Sequence, residues 1–284
     1  MNSTLDQRIK ELQKHKINRK ISREQYNEEK WRIMLDAQAN QELLAPLIRG
    51  HNPRAVITDS TGKTFCKIPR GPFIFGTSSE YCELNAAILV SQYPVTIREF
   101  CKFLDETDWD FPVEYRDKMK KISMFDECPA CFVNWFDAKQ YCRWLRRETD
   151  EYYSLPNEDE WEYAARGVDG RMYPWGYEEI DANLACYKSD YPYSGTIQVG
   201  TFSENRSPFG CMDMVGNVWE WCLDEFDYPG DPKILRGGSW NDPKENCTCV
   251  SRRVSFAADQ RVENIGFRLV YLPGEMWVDY KKTL

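Results

Sequence analysis

The sequence predicts an α+β fold in which a few helices accompany many short strands joined by long loops. Three stretches carry apolar residues at helical spacing, and two of them begin with a capping box. Residues 168–271 are instead rich in Gly, Pro, Asp and Asn between short apolar runs, which is typical of short strands and long loops. With 284 residues, of which 42% are hydrophobic, the chain can form one sizeable domain plus an appendage.

The first segment, residues 1–50, is predicted to be a helical appendage. Leu5, Ile9 and Leu12 recur at helical spacing, and a capping box at Ser22 begins a second helix. The apolar stripe is too narrow for this segment to fold alone. It is expected to act as an oligomerisation or tethering hairpin that binds a second copy or a partner helix. The alternative is a helix that covers the core of its own domain.

The remaining boundaries follow from composition. Residues 51–65 are predicted to be a linker, residues 66–272 the main domain and residues 273–284 a C-terminal tail. Within the main domain, capping boxes at Thr96 and Asn157 begin the first and third helices, and the second helix carries its apolar face from Ala138 onward.

Two glycine-containing motifs bracket a segment near the C-terminal end. Leu235-Arg-Gly-Gly-Ser-Trp240 precedes it and Asn264-Ile-Gly-Phe-Arg268 follows it. The two glycines permit a tight turn, and Trp240, Ile265 and Phe267 are expected to anchor the segment in the core. The segment 241–263 is therefore predicted to be a presented loop.

These motifs resemble the formylglycine-generating enzyme (sulfatase-modifying factor) family, and the resemblance runs in order from about Phe65 to Tyr271. Further matches are Ile68–Gly76, Tyr93–Phe100 and Val133–Ala138. Leu155–Gly167, Tyr173–Gly176 and Met214–Trp221 also match. The resemblance implies a C-type lectin-like fold, but chemistry depends on particular residues placed on that fold.

The resemblance also implies where copper would bind. Catalytic members hold copper with cysteines three and eight residues after the serine of Gly-Gly-Ser. Here these positions are Asp242 and Cys247, and Cys249 lies two residues further on. Copper(I) prefers paired thiolates, whereas a carboxylate is a hard ligand. The sequence therefore favours a non-catalytic binding module without copper. The alternative is a copper-dependent oxidase that uses Cys247.

A third class is the non-haem iron, sulfoxide-forming branch of the family, which takes its iron from three histidines. This chain has only His15 and His51. The iron enzyme is therefore excluded in practice.

The family's calcium sites suggest a structural calcium ion. One site maps onto Asp213, the carbonyls of Gly216 and Val218, and Glu220, and oxygen donors are what calcium requires. The alternative is hydrogen bonding within a turn. A second site maps onto Asn183 and the carbonyl of Leu184, with Asp190 as a further candidate ligand.

The loop 241–263 is predicted to bind a protein or a small ligand. In some relatives, the variable proteins of diversity-generating retroelements, the corresponding segment is rewritten to change what is bound. Polar side chains along the loop are the candidate contacts, since burying them would cost free energy. They are Asp242, Lys244, Glu245, Thr248, Ser251, Arg252, Ser255, Asp259 and Gln260. The alternative is an ordinary solvated loop.

Charge, hydropathy and cysteine content limit which kinds of partner, location and thiol chemistry are expected. The net charge is -8, and residues after position 50 carry 27 basic against 38 acidic residues, which disfavours nucleic-acid binding. No apolar run approaches about 18 residues and no signal peptide is recognisable, so a cytoplasmic protein without a membrane segment is expected.

The eleven cysteines suggest reduced thiols. Cys128 and Cys131 form a Cys-x-x-Cys pair that suits zinc or redox exchange, although ordinary buried thiols are favoured.

Overall fold

The computed structural model describes residues 56–77, 80–123, 125–189, 194–225, 230, 232–254 and 256–283. The predicted appendage at residues 1–50, and the candidate site residues Asp190 and Ser255, lie outside the described residues. No helix in the described ranges is long and apolar enough to cross a lipid bilayer.

The described residues form eleven strands and five α-helices. The strands are β1 (Ile57–Thr58), β2 (Thr64–Ile68), β3 (Gly71–Phe75), β4 (Glu80–Leu84), β5 (Ile88–Ser91), β6 (Tyr152–Ser154), β7 (Trp219–Glu225), β8 (Lys233–Arg236), β9 (Arg252–Arg253), β10 (Ile265–Gly266) and β11 (Val270–Leu272). The helices are α1 (Ile97–Asp105), α2 (Val113–Ile122), α3 (Trp135–Thr149), α4 (Glu158–Arg166) and α5 (Gly274–Lys281).

The strands form three sheets. The largest is antiparallel in the order β1-β2-β5-β11-β6, so strands from the two ends of the domain lie in one sheet. A four-stranded sheet has the order β10-β7-β8-β9, in which only the β10-β7 pair is parallel. The third sheet is the β3-β4 hairpin. The predicted α+β class is confirmed.

The five-stranded sheet is covered on both faces. Successive side chains of β2 point to opposite faces of the sheet. Phe65 packs in one buried apolar cluster, with residues of α1 and α3. Cys66 and Ile68 pack in a second buried apolar cluster, with residues of α4 and β3. Tyr271 and its neighbours in β11 divide between the same two clusters. The domain therefore has two apolar layers separated by one sheet.

The predicted starts of the first and third helices are confirmed, and the second helix also begins with a capping box. Thr96, Asn134 and Asn157 are the N-caps of α1, α3 and α4, and each closes a capping box with the residue three positions on. Gly167 ends α4 with φ 69°, and a Cβ atom there would lie 2.8 Å from Pro208 Cγ. A side chain at this position would therefore be strained and obstructed.

Two predicted boundaries need correction. Residues 57–65 belong to the β1-β2 hairpin, with Ile57 opposite Phe65, so this part of the predicted linker lies in the largest sheet. Residues 274–281 of the predicted tail form α5, whose Trp277 stacks on Tyr152 with ring centroids 3.7 Å apart. Helix α2 was not predicted, since its apolar pattern is weak and it buries only Met119.

A buried hydrogen bond joins α5 to α4. The Tyr280 hydroxyl donates to Glu160 Oε1 at 2.7 Å, while Glu160 Oε2 accepts from the Asn157 amide at 2.8 Å. Burial raises the pKa of Glu160 from its ordinary 4.5 to about 7, because the charged carboxylate is desolvated. The protein therefore keeps a proton on Glu160 at pH values where the unfolded chain has lost it.

This proton makes stability depend on pH. Between about pH 4.5 and 7 the folded state binds more protons at Glu160 than the unfolded state, so the contribution of Glu160 is largest below pH 4.5 and is lost as pH rises to 7. Glu160→Gln keeps the capping hydrogen bond and removes the titration. Relative to the wild type, its free energy of unfolding should rise by up to about 3 kcal/mol between pH 5 and 8. Denaturant titrations at both pH values measure this, with the exposed Glu148→Gln as control. A pH-independent difference between Glu160→Gln and wild type would contradict the assignment.

Candidate functional site

The turn after β8 packs closely against the first part of the predicted loop. Gly237 and Gly238 have φ 99° and 78°, and a Cβ atom on Gly238 would lie 2.4 Å from the Asn246 carbonyl oxygen and 2.7 Å from Cys247 Sγ. Only glycine allows this close approach. The Cys247 thiol can then donate to the Ser239 carbonyl at an S···O distance of 3.6 Å.

Asp242 is the acceptor at the centre of this turn. Its Oδ2 accepts from the Trp219 indole at 2.7 Å and from the Ser239 hydroxyl, and the Asn264 amide lies 3.5 Å away. Its other oxygen lies 3.5 Å from a guanidinium nitrogen of Arg253. Asp242 is buried. The carboxylate therefore connects Trp219 of β7 with Ser239, which precedes the loop, and with Asn264, which follows it.

Cys247 lies in an environment that disfavours its thiolate form. It is fully buried, and burial together with the negative charge of Asp242 raises its pKa to about 12. Burial likewise raises the pKa of Cys249. Both thiols are therefore protonated near neutral pH in the metal-free chain.

The loop 241–263 has an inner and an outer part, which corrects the prediction that all its polar side chains face outward. Asp242 and Thr248 are buried, and Ser251 is half-buried with its hydroxyl 2.8 Å from that of Thr248. Arg252 is exposed but donates from Nε to Glu158 Oε1 at 2.6 Å. The outer side chains are those of Lys244, Glu245, Asp259 and Gln260. Of the three predicted anchors, Ile265 and Phe267 are fully buried and Trp240 is half-buried.

A surface cavity lies beside the outer part of the loop. Its volume is about 820 Å³, and Pro243, Lys244 and Glu245 form one wall. The facing wall comes from Tyr187 and its neighbours in the segment 182–189. The size suits a small ligand or a peptide side chain. The Lys244 ammonium bridges to Glu179 Oε1 at 2.5 Å at the surface.

The two carboxylates of the first predicted calcium site accept hydrogen bonds from protein groups. Both oxygens of Glu220 accept from Arg268, at 2.6 and 2.8 Å, and Oε2 also accepts from the Trp161 indole at 2.6 Å. Asp213 is buried, its Oδ2 accepts from the Gly200 amide at 2.7 Å, and burial raises its pKa to about 6. A calcium ion on the Glu220 carboxylate would replace or repel the Arg268 guanidinium. The Glu220 side chain therefore does not fit a calcium ligand in this arrangement.

The second predicted calcium site is described only in part, since Asp190 lies outside the described residues. Asn183 is exposed, its amide donates to Asp181 Oδ1 at 2.7 Å, and calcium at Asn183 and Leu184 stays a prediction. Cys128 and Cys131 are fully buried and form no disulfide bond. Across the described part of the chain, no three His, Cys, Asp or Glu side chains are placed to hold a metal ion together.

Comparison with known proteins assigns the family. The model of the sulfatase-modifying factor enzyme 1-like domain matches residues 54–272. The chain belongs to this family. An inactive Cα-formylglycine-generating enzyme 2 from Bos taurus is 33% identical over 156 residues, which cover 50% of this chain and 50% of the bovine protein. A formylglycine-generating enzyme from Streptomyces coelicolor is 34% identical over 167 residues, covering 49% of this chain and 51% of the relative. The chain thus spans about half the length of these curated relatives.

Solved structures show the same fold. The structure of PvdO from Pseudomonas aeruginosa superposes with a TM-score of 0.66 and 23% identity, covering 78% of this chain and 98% of PvdO. Treponema denticola variable protein 1 superposes with a TM-score of 0.61 and 20% identity, covering 76% of this chain and 99% of that protein. The predicted lectin-like, formylglycine-generating enzyme-type fold is confirmed.

Sequence reasoning missed the partners of the buried charges. Arg268 pairs with Glu220, and Trp219 and Asn264 hold Asp242. The sequence contained a sign that these charges would need partners, because Glu220 and Arg268 lie within largely apolar motifs. A charge buried among apolar residues needs a partner.

The Asp242 network predicts a structural role for this residue. Asp242→Ala leaves the Trp219 and Ser239 donors without their acceptor, and each buried unpaired donor costs about 1–3 kcal/mol. The free energy of unfolding should therefore fall by about 2 kcal/mol or more. Asp259→Ala, an exposed change in the same loop, should stay within about 0.5 kcal/mol of wild type. Equal free energies of unfolding for the two variants in denaturant titrations would show that the Asp242 network contributes nothing to stability.

Proposed function

We propose that the chain is a non-catalytic binding module that presents the outer part of loop 241–263 to a protein or small ligand. The observation that carries the proposal is the placement of Asp242. This carboxylate stands where catalytic relatives are expected to have a thiol, and it is buried in hydrogen bonds that hold the loop in place. The turn that would hold copper instead serves as a support.

The cavity beside the loop supplies the binding surface. Lys244 and Glu245 are exposed, line this space and are attached to a rigid inner turn. Loops held by a rigid scaffold can vary their side chains without unfolding the domain. The bovine relative's name, which calls it inactive, and the name of the Treponema variable protein support the same interpretation.

Two finer parts of the proposal concern genetics and assembly. A retroelement variable protein would have, in neighbouring DNA, an imperfect repeat of the codons for residues 240–268 that differs mainly at adenines. Self-association or binding of a partner helix through residues 1–50 is proposed from their apolar spacing alone.

The wild-type protein should not convert a cysteine-containing sulfatase peptide to formylglycine in the presence of copper and oxygen. The Cys247 thiol near Ser239 is buried and protonated in the metal-free chain, because burial and Asp242 raise its pKa to about 12. Asp242→Cys supplies the second thiol and should increase copper(I) affinity in a competition assay. That gain should vanish in the double variant that also carries Cys247→Ser. Mass spectrometry of the peptide measures conversion of its cysteine to formylglycine. Conversion by the wild type that is lost on Cys247→Ser would support the oxidase alternative.

The loop itself can be tested with a matched pair of double variants. Lys244→Ala with Glu245→Ala changes the cavity wall, whereas Asp259→Ala with Gln260→Ala changes exposed residues outside its lining. Both should leave the melting temperature nearly unchanged. For fragments and peptides that bind wild type in ligand-observed NMR, only the first pair should weaken binding, by about fivefold or more. Equal effects from the two pairs would refute the assignment of this surface.

A further inference from the structure

A short hairpin, residues 172–177, packs against the buried part of the proposed binding loop. Tyr173 and Gly176 exchange two backbone hydrogen bonds, at 2.9 and 3.0 Å, around a two-residue turn. The Met172 carbonyl accepts from the Cys249 amide at 2.9 Å, which fixes the hairpin to the loop. None of the hairpin residues lines the cavity beside the loop, so the proposed loop function does not use them.

The hairpin presents two large apolar side chains to solvent. Tyr173 is buried and stacks on Trp175, with ring centroids 5.1 Å apart. Because successive side chains of a paired strand alternate between faces, the neighbours of the Tyr173–Gly176 pair point away from the core. Met172 is 40% exposed and Tyr177 is 64% exposed. Methionine and tyrosine are enriched in the centres of protein interfaces.

Hydrogen bonds hold the aromatic side chains of the hairpin in place. The Tyr177 hydroxyl donates to the Asp169 carbonyl at 3.1 Å, and the Trp175 indole donates to the Glu178 carbonyl at 2.9 Å. A partner therefore meets side chains that are already ordered, so little conformational entropy is lost on binding. This order suits a contact surface.

The charge around the hairpin favours a basic partner. Glu178 and Glu179 follow the hairpin directly and are exposed, and the Lys244 ammonium pairs with Glu179. After position 50 the chain carries 38 acidic against 27 basic residues. A basic segment is attracted to such a surface, whereas a second copy of this acidic chain is repelled.

We propose that the 172–177 hairpin docks a basic protein segment, in which an arginine lies on the Tyr177 ring and a neighbouring apolar side chain contacts Met172. The face of the ring attracts the guanidinium, and its planar shape allows it to stack there. Glu178 and Glu179 balance its charge. This inference goes beyond the loop function, since docking at the hairpin requires no contact with the cavity beside the loop.

The test uses the full chain with ¹³C-methyl-labelled methionine. The methyl resonance of Met172 is assigned from Met172→Leu and followed while acetyl-Leu-Arg-Arg-Leu-amide is added. The arginine peptide should shift this resonance saturably. The same peptide with citrulline in place of arginine has a similar shape but no charge, and it should bind about threefold more weakly or worse.

Variants of the ring give the second readout. Tyr177→Ala should weaken the arginine peptide by about threefold or more, whereas Tyr177→Phe keeps the ring and should bind like the wild type. Phe136→Ala is the matched control, because Phe136 is 48% exposed but lies on α3, and it should leave the affinity unchanged. Both alanine variants change exposed side chains and should keep the wild-type melting temperature.

Charge variants separate the hairpin from the loop cavity. Glu178→Gln with Glu179→Gln should weaken the arginine peptide by about threefold or more, and added salt should weaken binding to the wild type. Lys244→Ala removes the ammonium that pairs with Glu179 and should not weaken the arginine peptide.

Several results would overturn the proposal. The first is the absence of a saturable Met172 shift, or equal affinities for the arginine and citrulline peptides. The second is a Tyr177→Ala variant that binds as well as Phe136→Ala. The third is a loss of affinity in Lys244→Ala, which would place the peptide in the loop cavity instead. A wild-type dimer in sedimentation experiments that Tyr177→Ala abolishes would make a second copy the occupant. Failure of the loop function leaves all these measurements unaffected, so the two proposals fail separately.

Discussion

The ion pair between Arg268 and Glu220 connects the parts of the domain on which the loop depends. The guanidinium donates to both oxygens of Glu220 and to the backbone carbonyls of Ser91, Gln92, Met212 and Asp213, at 2.6–3.4 Å. These groups belong to the end of β5, to the segment before β7 and to β7 itself. Because both charges are fully desolvated, removing one partner leaves the other buried and unpaired, which costs about 3–5 kcal/mol. The pair therefore enforces the mutual position of the two larger sheets.

A second charged cluster fixes the inner side of the loop. Arg236 donates to Glu162 and, at 3.1 Å, to Glu158, which also accepts from Arg252. Glu162 in turn pairs with Arg166 within α4 at 2.9 Å. This cluster joins α4 to β8, which precedes the loop, and to β9, which lies within it. Arg252 is consequently a support for the loop, although the sequence suggested a ligand contact.

The sequence predicted the helix starts well because capping boxes and apolar spacing are local patterns. Thr96 and Asn157 specify their helices through residues only three positions away. The β1-β2 hairpin and α5 were missed because their stability comes from distant partners: Phe65 packs against Tyr271, and Trp277 stacks on Tyr152. The direction of a loop side chain is a long-range property of the same kind. Nothing near Asp242 in sequence indicates that Trp219, 23 positions earlier, supplies its hydrogen bond.

Asp242 stands where the resemblance to the family implies a copper-binding cysteine, and this aspartate has a physical consequence for the turn itself. A carboxylate accepts several hydrogen bonds, whereas a protonated thiol is a weak donor and acceptor. With Asp242 in place, the donors of Trp219 and Ser239 are satisfied. The carboxylate also disfavours ionisation of the neighbouring Cys247. Asp242 thus stabilises the turn and disfavours the thiolate form of Cys247. The outer residues Lys244 and Glu245 are then left free of any structural task in the buried network, which is the condition under which a loop can be specialised for recognition.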